Sequence, residues 1–471
     1  MSSRQEERIV DTCFEEGQFQ SAISVLNLLR SSSRPPSLSH IRQLIYIALH
    51  PLSTPKTDKA QNKSIYDTPT KQPAHHVIPS HLSPSAVMAA QQLLMSFAVT
   101  HPPSYLAPAL PSYCSIDRVG RKLIDDPGDS DISKESVCIN EAKDCWALLI
   151  EGFLSRGKAL FSTPRNKGRR RRGSTEDDVF LVPAHQSVEH AIIGDASWPV
   201  LDWILTLFER DEQFVHADGQ PRYSQLLLDQ IPPSRNGTSG RLDIETPLAV
   251  LMYCLQQSCS RRQRMGYRLM TLLINLATTS HLDFPMFVAA IFSHLSTVVP
   301  EIFRLLLSSL PPSSAVQQFK VALCYKFICE VDSGQQKPTQ NSRLKPQARA
   351  RVPRATRTTP ASSLSLSFIP PAKIIKCLPS CQAILTALET QPKRSLSETD
   401  AKSLVQVKFE LLTSYGIVQK EACDDDKDLE WTKVLEQSRL NGILDATFNH
   451  GNKDVSTKYR TLAQAVVSMW T

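Results

Sequence analysis

No stretch of this chain is apolar for long enough to span a bilayer. The best, Met286 to Val299, falls short of the roughly 20 residues a spanning helix needs and carries His294. Met1 to Val10 is charged and polar rather than signal-like, and the eleven cysteines lack the clustered spacing of a disulfide framework. The expectation is a soluble protein of a reducing compartment, with no membrane partner. Glycine is scarce too, 16 against 32 prolines, and the prolines gather with Ser, Thr and Lys in separable segments of linker character. Strand-type alternation is missing throughout, which argues against the β-rich classes.

Signatures of catalysis are also wanting. There is no G-x-S-x-G, no H-E-x-x-H and no dinucleotide fingerprint, so no catalytic, cofactor-binding or metal-ligating residue is assigned. The stretch Gly152 to Ala159 fits G-x-x-x-x-G-K, but Ala159 stands where a phosphate loop needs Ser or Thr for Mg²⁺, and the residues before it have helical rather than strand character. Cys254 with Cys259, and Cys324 with Cys329, are offset by about 140° on a helix and cannot aim two thiolates at one ion. Cys377 and Cys381 flank Pro379 and lack a second pair. His75 and His76 fall in a linker, and His185 and His190 have no carboxylate motif beside them.

What the chain has is helix. From Glu245 to Glu330 five apolar helices follow one another with little but turn residues between them. Thr246 and Pro247 open the first as cap and first helical position, Asp283 and Pro285 the third, and Pro300 the fourth; Pro311-Pro312 stops the fourth, and Val316 to Ile328 makes the fifth. Short connections imply antiparallel neighbours. Near the N-terminus three helices are expected over residues 3–49. There Gly17, Phe19, Ala22 and Ile23, followed by Leu26 and Leu29, resemble the turn and second helix of a tetratricopeptide unit, without recurrence at its roughly 34-residue period.

Further helices are expected over Glu141 to Leu160, His185 to Phe214 and Ile374 to Leu388, then from a cap at Ser397 or Thr399 to a stop near Gly416, then over Glu430 to Leu444 and Ser456 to Trp470, the last with a stripe of Tyr459, Leu462, Val466 and Met469. The fold expected is all-α: an array of antiparallel helical hairpins, solenoid-like in the tetratricopeptide or HEAT manner, interrupted by disordered linkers. Its divisions are a hairpin region at 1–50, a linker at 51–83, helices at 84–161, a basic and acidic linker at 162–184, the central block at 185–331, a second basic linker at 332–369 and a C-terminal helical region at 370–471.

Net charge is +7, and two linker runs exceed it. Arg165, Lys167, Arg169, Arg170, Arg171 and Arg172 form one; Lys337, Arg343, Lys345, Arg349, Arg351, Arg354 and Arg357 form the other, with no acid inside either. Setting those thirteen cations aside leaves about −6 for the remainder. The first run is of the kind read by nuclear import receptors and attracted to phosphate backbones. Thr163 before Pro164, and Ser174 after the arginines, are phosphorylation candidates whose added charge would oppose the run. The second can add sequence-independent DNA or RNA contact through counterion release. The function expected is a non-enzymatic scaffold or adaptor for other proteins, holding a peptide or helix in its grooves, in the nucleus with the cytoplasm as the alternative. A nucleic-acid-binding protein, or an enzyme without a recognisable motif, are the rival readings.

Overall fold

A computed structural model of the chain describes residues 3–51, 82–111, 130–155, 191–214, 222–233, 242–279, 281–296, 300–333, 377–391, 397–448 and 453–470. Among these residues every regular element is a helix, and β pairing is confined to isolated bridges, Ser31 with Arg34 and Pro233 with Leu242. No described helix is long and apolar enough to cross a membrane. The chain divides into two compact units, residues 1–216 with 224–272 and residues 217–223 with 273–471.

The first unit opens with α1 (Ser3–Glu15) and α2 (Phe19–Leu28). Gly17 turns the chain between them at φ +72, a left-handed conformation that a side chain would oppose. Val10 and Phe14 then meet the interior beside Ala22, Ile23 and Leu26. Serine caps place the next starts: Ser37 before α3 (Leu38–Ala48) accepts from His40 N, and Ser83 before α4 (Pro84–Thr100) accepts from Ala86 N, with Pro84 at the first position, where its missing N–H costs nothing. A short α5 (Pro103–Leu106) and then α6 (Asp131–Glu141), capped by Ser130, complete this part.

Beyond α6 the expected helix from Glu141 does not form over residues 142–152; residues 153–155 are helical, and 156–160 lie outside the described residues. Residues 142–155 are mostly turns around a 3₁₀ turn, Ala147–Leu149. A tertiary hydrogen bond takes a backbone donor out of the helical ladder here: Cys145 N donates to Gln230 Oε1 (2.8 Å), and the site is held further by the Trp146 indole on Gln230 O (3.1 Å) and Gln230 Nε2 on Pro111 O (2.7 Å). Helix resumes as α7 (Trp198–Phe214), preceded by a 3₁₀ turn at Asp195–Ser197; residues 191–194 are not helical and 185–190 lie outside the described residues. After α8 (Gln225–Leu228), α9 (Glu245–Leu255) begins a residue before Thr246. Thr246 is therefore not the cap; Asp243 Oδ1 accepts from Glu245 N (3.2 Å). In α10 (Ser260–Ala277), inside which the unit boundary falls, Gly266 lets the side chains of Cys254 and Leu255 approach closely.

The second unit holds α11 (Phe284–Leu295), α12 (Pro300–Ser309), α13 (Ser314–Ser333), α14 (Cys381–Glu389), α15 (Glu398–Glu421), α16 (Leu429–Glu436), α17 (Arg439–Phe448) and α18 (Lys453–Val467). Asp283 caps α11 through Met286 N, and Ser397 caps α15 through Asp400 N. The centre is α15, against which α12, α13 and α18 pack; Leu404, Val407, Leu411, Leu412, Tyr415 and Val418 form its buried apolar face.

Expectations about this region change: the helix expected from Ile374 begins only at Cys381, residues 377–380 being non-helical. Gly416 does not end α15, which runs on to Glu421, because the glycine is a notch: a Cβ there would collide with the Trp470 ring. A mid-helix glycine costs about 1 kcal/mol against alanine, a loss the seated indole offsets. The segment expected to be one helix over Glu430 to Leu444 is two, broken at Ser438, whose φ is +53. In α18 the buried face is Ser456, Ala463 and Val467, while Leu462 and Met469 of the expected stripe stay exposed.

Candidate functional site

Residues Arg165, Lys167, Arg169, Arg170, Arg171 and Arg172, with Thr163 and Ser174, all lie in 156–190, outside the described residues. So do the second basic run and His75, His76, His185 and His190. Of the G-x-x-x-x-G-K stretch, Gly152 is described, at φ +73 in a turn. The cysteine pairs are each split between inside and outside: Cys254, Cys324 and Cys381 are buried, Cys259, Cys329 and Cys377 exposed. Burial pushes the Cys254 and Cys381 thiols up to about 12. Backbone N–H groups of Arg262 and Arg261 at the start of α10 hold Cys259 below its ordinary value. Among the described residues no group of three His, Cys, Asp or Glu is placed to hold a metal ion.

A small cavity in the first unit, about 40 Å³, is lined among others by Arg30, Arg34, Ser37, His40 and Phe97. Its polar side chains have partners: Arg34 pairs with Glu6 and with Glu7 (3.2 Å), Arg30 donates to Thr100 Oγ1 (2.6 Å), and His40 Nε2 lies 2.9 Å from Asp11 Oδ1. A space of that size takes a water or two, not a ligand. Nearby, His101 is fully buried, and both ring nitrogens lack a hydrogen-bond partner among the described residues. Burial, then the cations Arg30 and Arg210, hold its pKa below the ordinary histidine value.

A larger opening lies in the second unit, between the end of α13 and α14, with a volume of about 440 Å³. That is within the roughly 300–1,000 Å³ range of ligand clefts. From α13 it is lined by Tyr325, Ile328 and Cys329, which fall on one helix face at spacings of three and four. The opposite wall is Ser380 with Gln382, Ala383, Thr386, Ala387 and Thr390, again one face, while Cys381, Ile384, Leu385 and Leu388 of α14 turn inward. None of the nine lining residues is an acid, a lysine, an arginine or a histidine.

The wall is held from behind. Ser380 Oγ accepts from Ala383 N (3.4 Å), and Cys381 N donates to Asp428 Oδ2 (2.8 Å), fixing the start of α14. At its other end Lys408 Nζ donates to Leu388 O (2.6 Å) and Thr390 O (2.7 Å), and Thr447 Oγ1 also donates to Leu388 O (3.2 Å). A cation on the last carbonyls of a helix is a favourable cap. Burial brings the Lys408 amine down to about 8. Within the cleft, Thr386 and Thr390 give their hydroxyl protons to carbonyls of their own helix, Gln382 O (2.8 Å) and Thr386 O (2.7 Å). The Tyr325 phenol is held above its ordinary value by burial and then by its hydrogen bond to Cys329.

Chemically the cleft offers methyl and methylene surface, one phenol, one thiol, one amide and the hydroxyls of Ser380, Thr386 and Thr390. A lining of this kind suits uncharged, largely apolar groups. Neither charge nor motif marks it in the sequence, where its trace is a helix face of small residues, Ala383, Thr386, Ala387 and Thr390. No protein-family model matches the chain, and no curated protein and no solved structure matches it.

Proposed function

We propose that this chain is a non-enzymatic helical scaffold, an array of antiparallel hairpins in a solenoid-like layout that receives a peptide or helix of another protein. The observation that carries the reading is the α13–α14 cleft. It is of ligand size, uncharged, and walled on one side by α14, whose two ends are fastened by Asp428 and Lys408. Fixed walls lower the ordering cost of binding, and grooves between helices suit helix-in-groove recognition. The basic run Arg165 to Arg172 supplies nuclear import, with Thr163 and Ser174 as phosphorylation sites that weaken it.

The test pairs a cleft variant with capture. Ala383→Lys places a cation in the neutral wall; a partner crosslinked to the wild-type chain in cells is lost in the variant while helix content is kept. Recovery of the same partner in equal amount would sink the reading. A second reading, DNA or RNA binding, is favoured by the two basic runs. It requires an affinity that falls steeply with salt and vanishes when both runs are made neutral.

A further inference from the structure

We propose that the α13–α14 cleft is filled, in the isolated chain, by the chain's own segment Leu364–Ile369, which a partner peptide of the same character must displace. The proposal rests on the cleft being the peptide site argued above, and it names the resting occupant of that site.

Charge selects among occupants first. A lining without acid or base gives no counter-charge, so an ionic side chain entering it would lose hydration with nothing in exchange. That rules out the seven-cation segment Lys337 to Arg357. Thr358 to Ala372, by contrast, carries no charged residue, and it contains Leu364, Leu366, Phe368 and Ile369.

Chain geometry points the same way. The two walls of the cleft are the two ends of one connection: α13 stops at Ser333, and the described chain resumes at Cys377, three residues before the Ser380 that lines the opposite wall. Residues 334–376, between these ends, lie outside the described residues. Ile369 is eight residues from Cys377, a tether that reaches at most about 28 Å, so both walls are accessible to the segment. A short tether makes the effective concentration of the segment roughly millimolar, and a contact too weak to hold a free peptide is then enough.

Pattern is the third support. Leu364, Leu366 and Phe368 alternate with Ser365 and Ser367, and an extended peptide of that kind sends its apolar side chains to one side. Pro370 and Pro371 directly after it oppose helix.

Cys329 supplies the readout, because it lines the cleft and is exposed, while Cys423, exposed outside the cleft, is the internal control. Purified full-length chain is alkylated with iodoacetamide, and each cysteine is followed by peptide mass spectrometry. The double variant Leu366→Asp with Phe368→Asp is expected to raise the Cys329 rate about tenfold, the value for a cleft about nine-tenths occupied, and to leave Cys423 unchanged. Leu366→Met with Phe368→Met is expected to keep the wild-type rate. A synthetic peptide spanning Ser363 to Ile369, added to the Asp variant at millimolar concentration, is expected to slow Cys329 again. This second arm decides the case even if the Asp variant disturbs the unit, which alkylation of the buried Cys324 and Cys381 would reveal. Equal Cys329 rates in wild type and Asp variant overturn the proposal, as does failure of the peptide to protect. Protection that grows with protein concentration makes the occupant a second copy and also overturns it. Equal rates together with partner loss in Ala383→Lys would sink self-occupancy alone; self-occupancy without any captured partner would sink the scaffold reading alone.

Discussion

Between α7 and α10 four charged side chains meet, whereas between α13 and α14 none of the nine lining residues is an acid, a lysine, an arginine or a histidine. In the first place Arg268 forks onto Glu209 (both contacts 2.7 Å), reaches Thr206 Oγ1 (2.9 Å) and pairs with Asp202, which Arg261 also meets (3.1 Å). Arg262 lies over the Trp198 ring at 4.6 Å and pairs with Asp195 at 2.9 Å. Arg268 holds two carboxylates and a hydroxyl at once, so removing it leaves the partly buried Asp202 and Glu209 without their shared cation. In the neutral cleft an occupant can come and go without stranding a charge. The one contact is fastened by charge; the other, in the function proposed above, exchanges what fills it.

The neutral wall nevertheless rests on one buried cation, and this gives the largest expected effect. Lys408 titrates at about 8 in the folded chain against 10.5 ordinarily, because burial disfavours its charge. Between those values the unfolded chain holds a proton that the folded chain has lost, so stability rises with pH across the window, by about 3 kcal/mol in all. Urea unfolding followed by circular dichroism at pH 8 and pH 10.5 is expected to show that rise, and Lys408→Met to lack it; equal slopes in the two proteins would remove Lys408 from the account of α14.

Next comes the charged seam. Arg268→Ala is expected to cost about 2 kcal/mol, below the value for a fully buried pair because these groups are partly exposed, and to cost less in 1 M salt. Arg268→Lys restores less than half, since an ammonium cannot fork onto Glu209. A loss independent of salt would mean that packing, not charge, closes this contact.

Smaller still is the expected effect of His101. Its pKa is lowered in the folded chain, so its contribution is present above the ordinary value near 6.5 and is lost as pH falls below it. Hydrogen exchange of α3 and α4 amides at pH 7 and pH 5 is expected to show that acid loss, and His101→Leu to reduce it. Least of all is the expected change in stability from Ala383→Lys, under about 0.5 kcal/mol, since its side chain borders the open cleft. A large loss there would make the cleft wall a part of the core rather than a surface for a partner.

How much of this was legible in the sequence follows from where the determining bonds lie. Helix starts set by neighbours in sequence were readable: Asp283 before Pro285, Ser397 before Asp400. Ends and interruptions set by distant residues were not. Trp146, Leu149, Ile150 and Phe153 have helical spacing, but Gln230 takes the backbone N–H of Cys145 out of the helical ladder. Gly416 looked like a stop until Trp470 was seen against it. The stripe Tyr459, Leu462, Val466 and Met469 was sound as periodicity, yet the small Ala463 sits on the face that is buried. The cleft gave least away, because a face of Ala and Thr without charge matches no chemical motif.

The notch at Gly416 also bears on the order in which this chain acquires structure as it leaves the ribosome. Its α1–α2 hairpin joins residues close in sequence and can close while the rest is unmade. The central helix of the second unit cannot be finished so early, because the ring that fills its notch belongs to Trp470 and is translated long after Gly416. Until then one side of α15 faces water or a chaperone, and a ribosome stalled short of Trp470 should hold a second unit that proteases still cut, beside a first unit that they already spare.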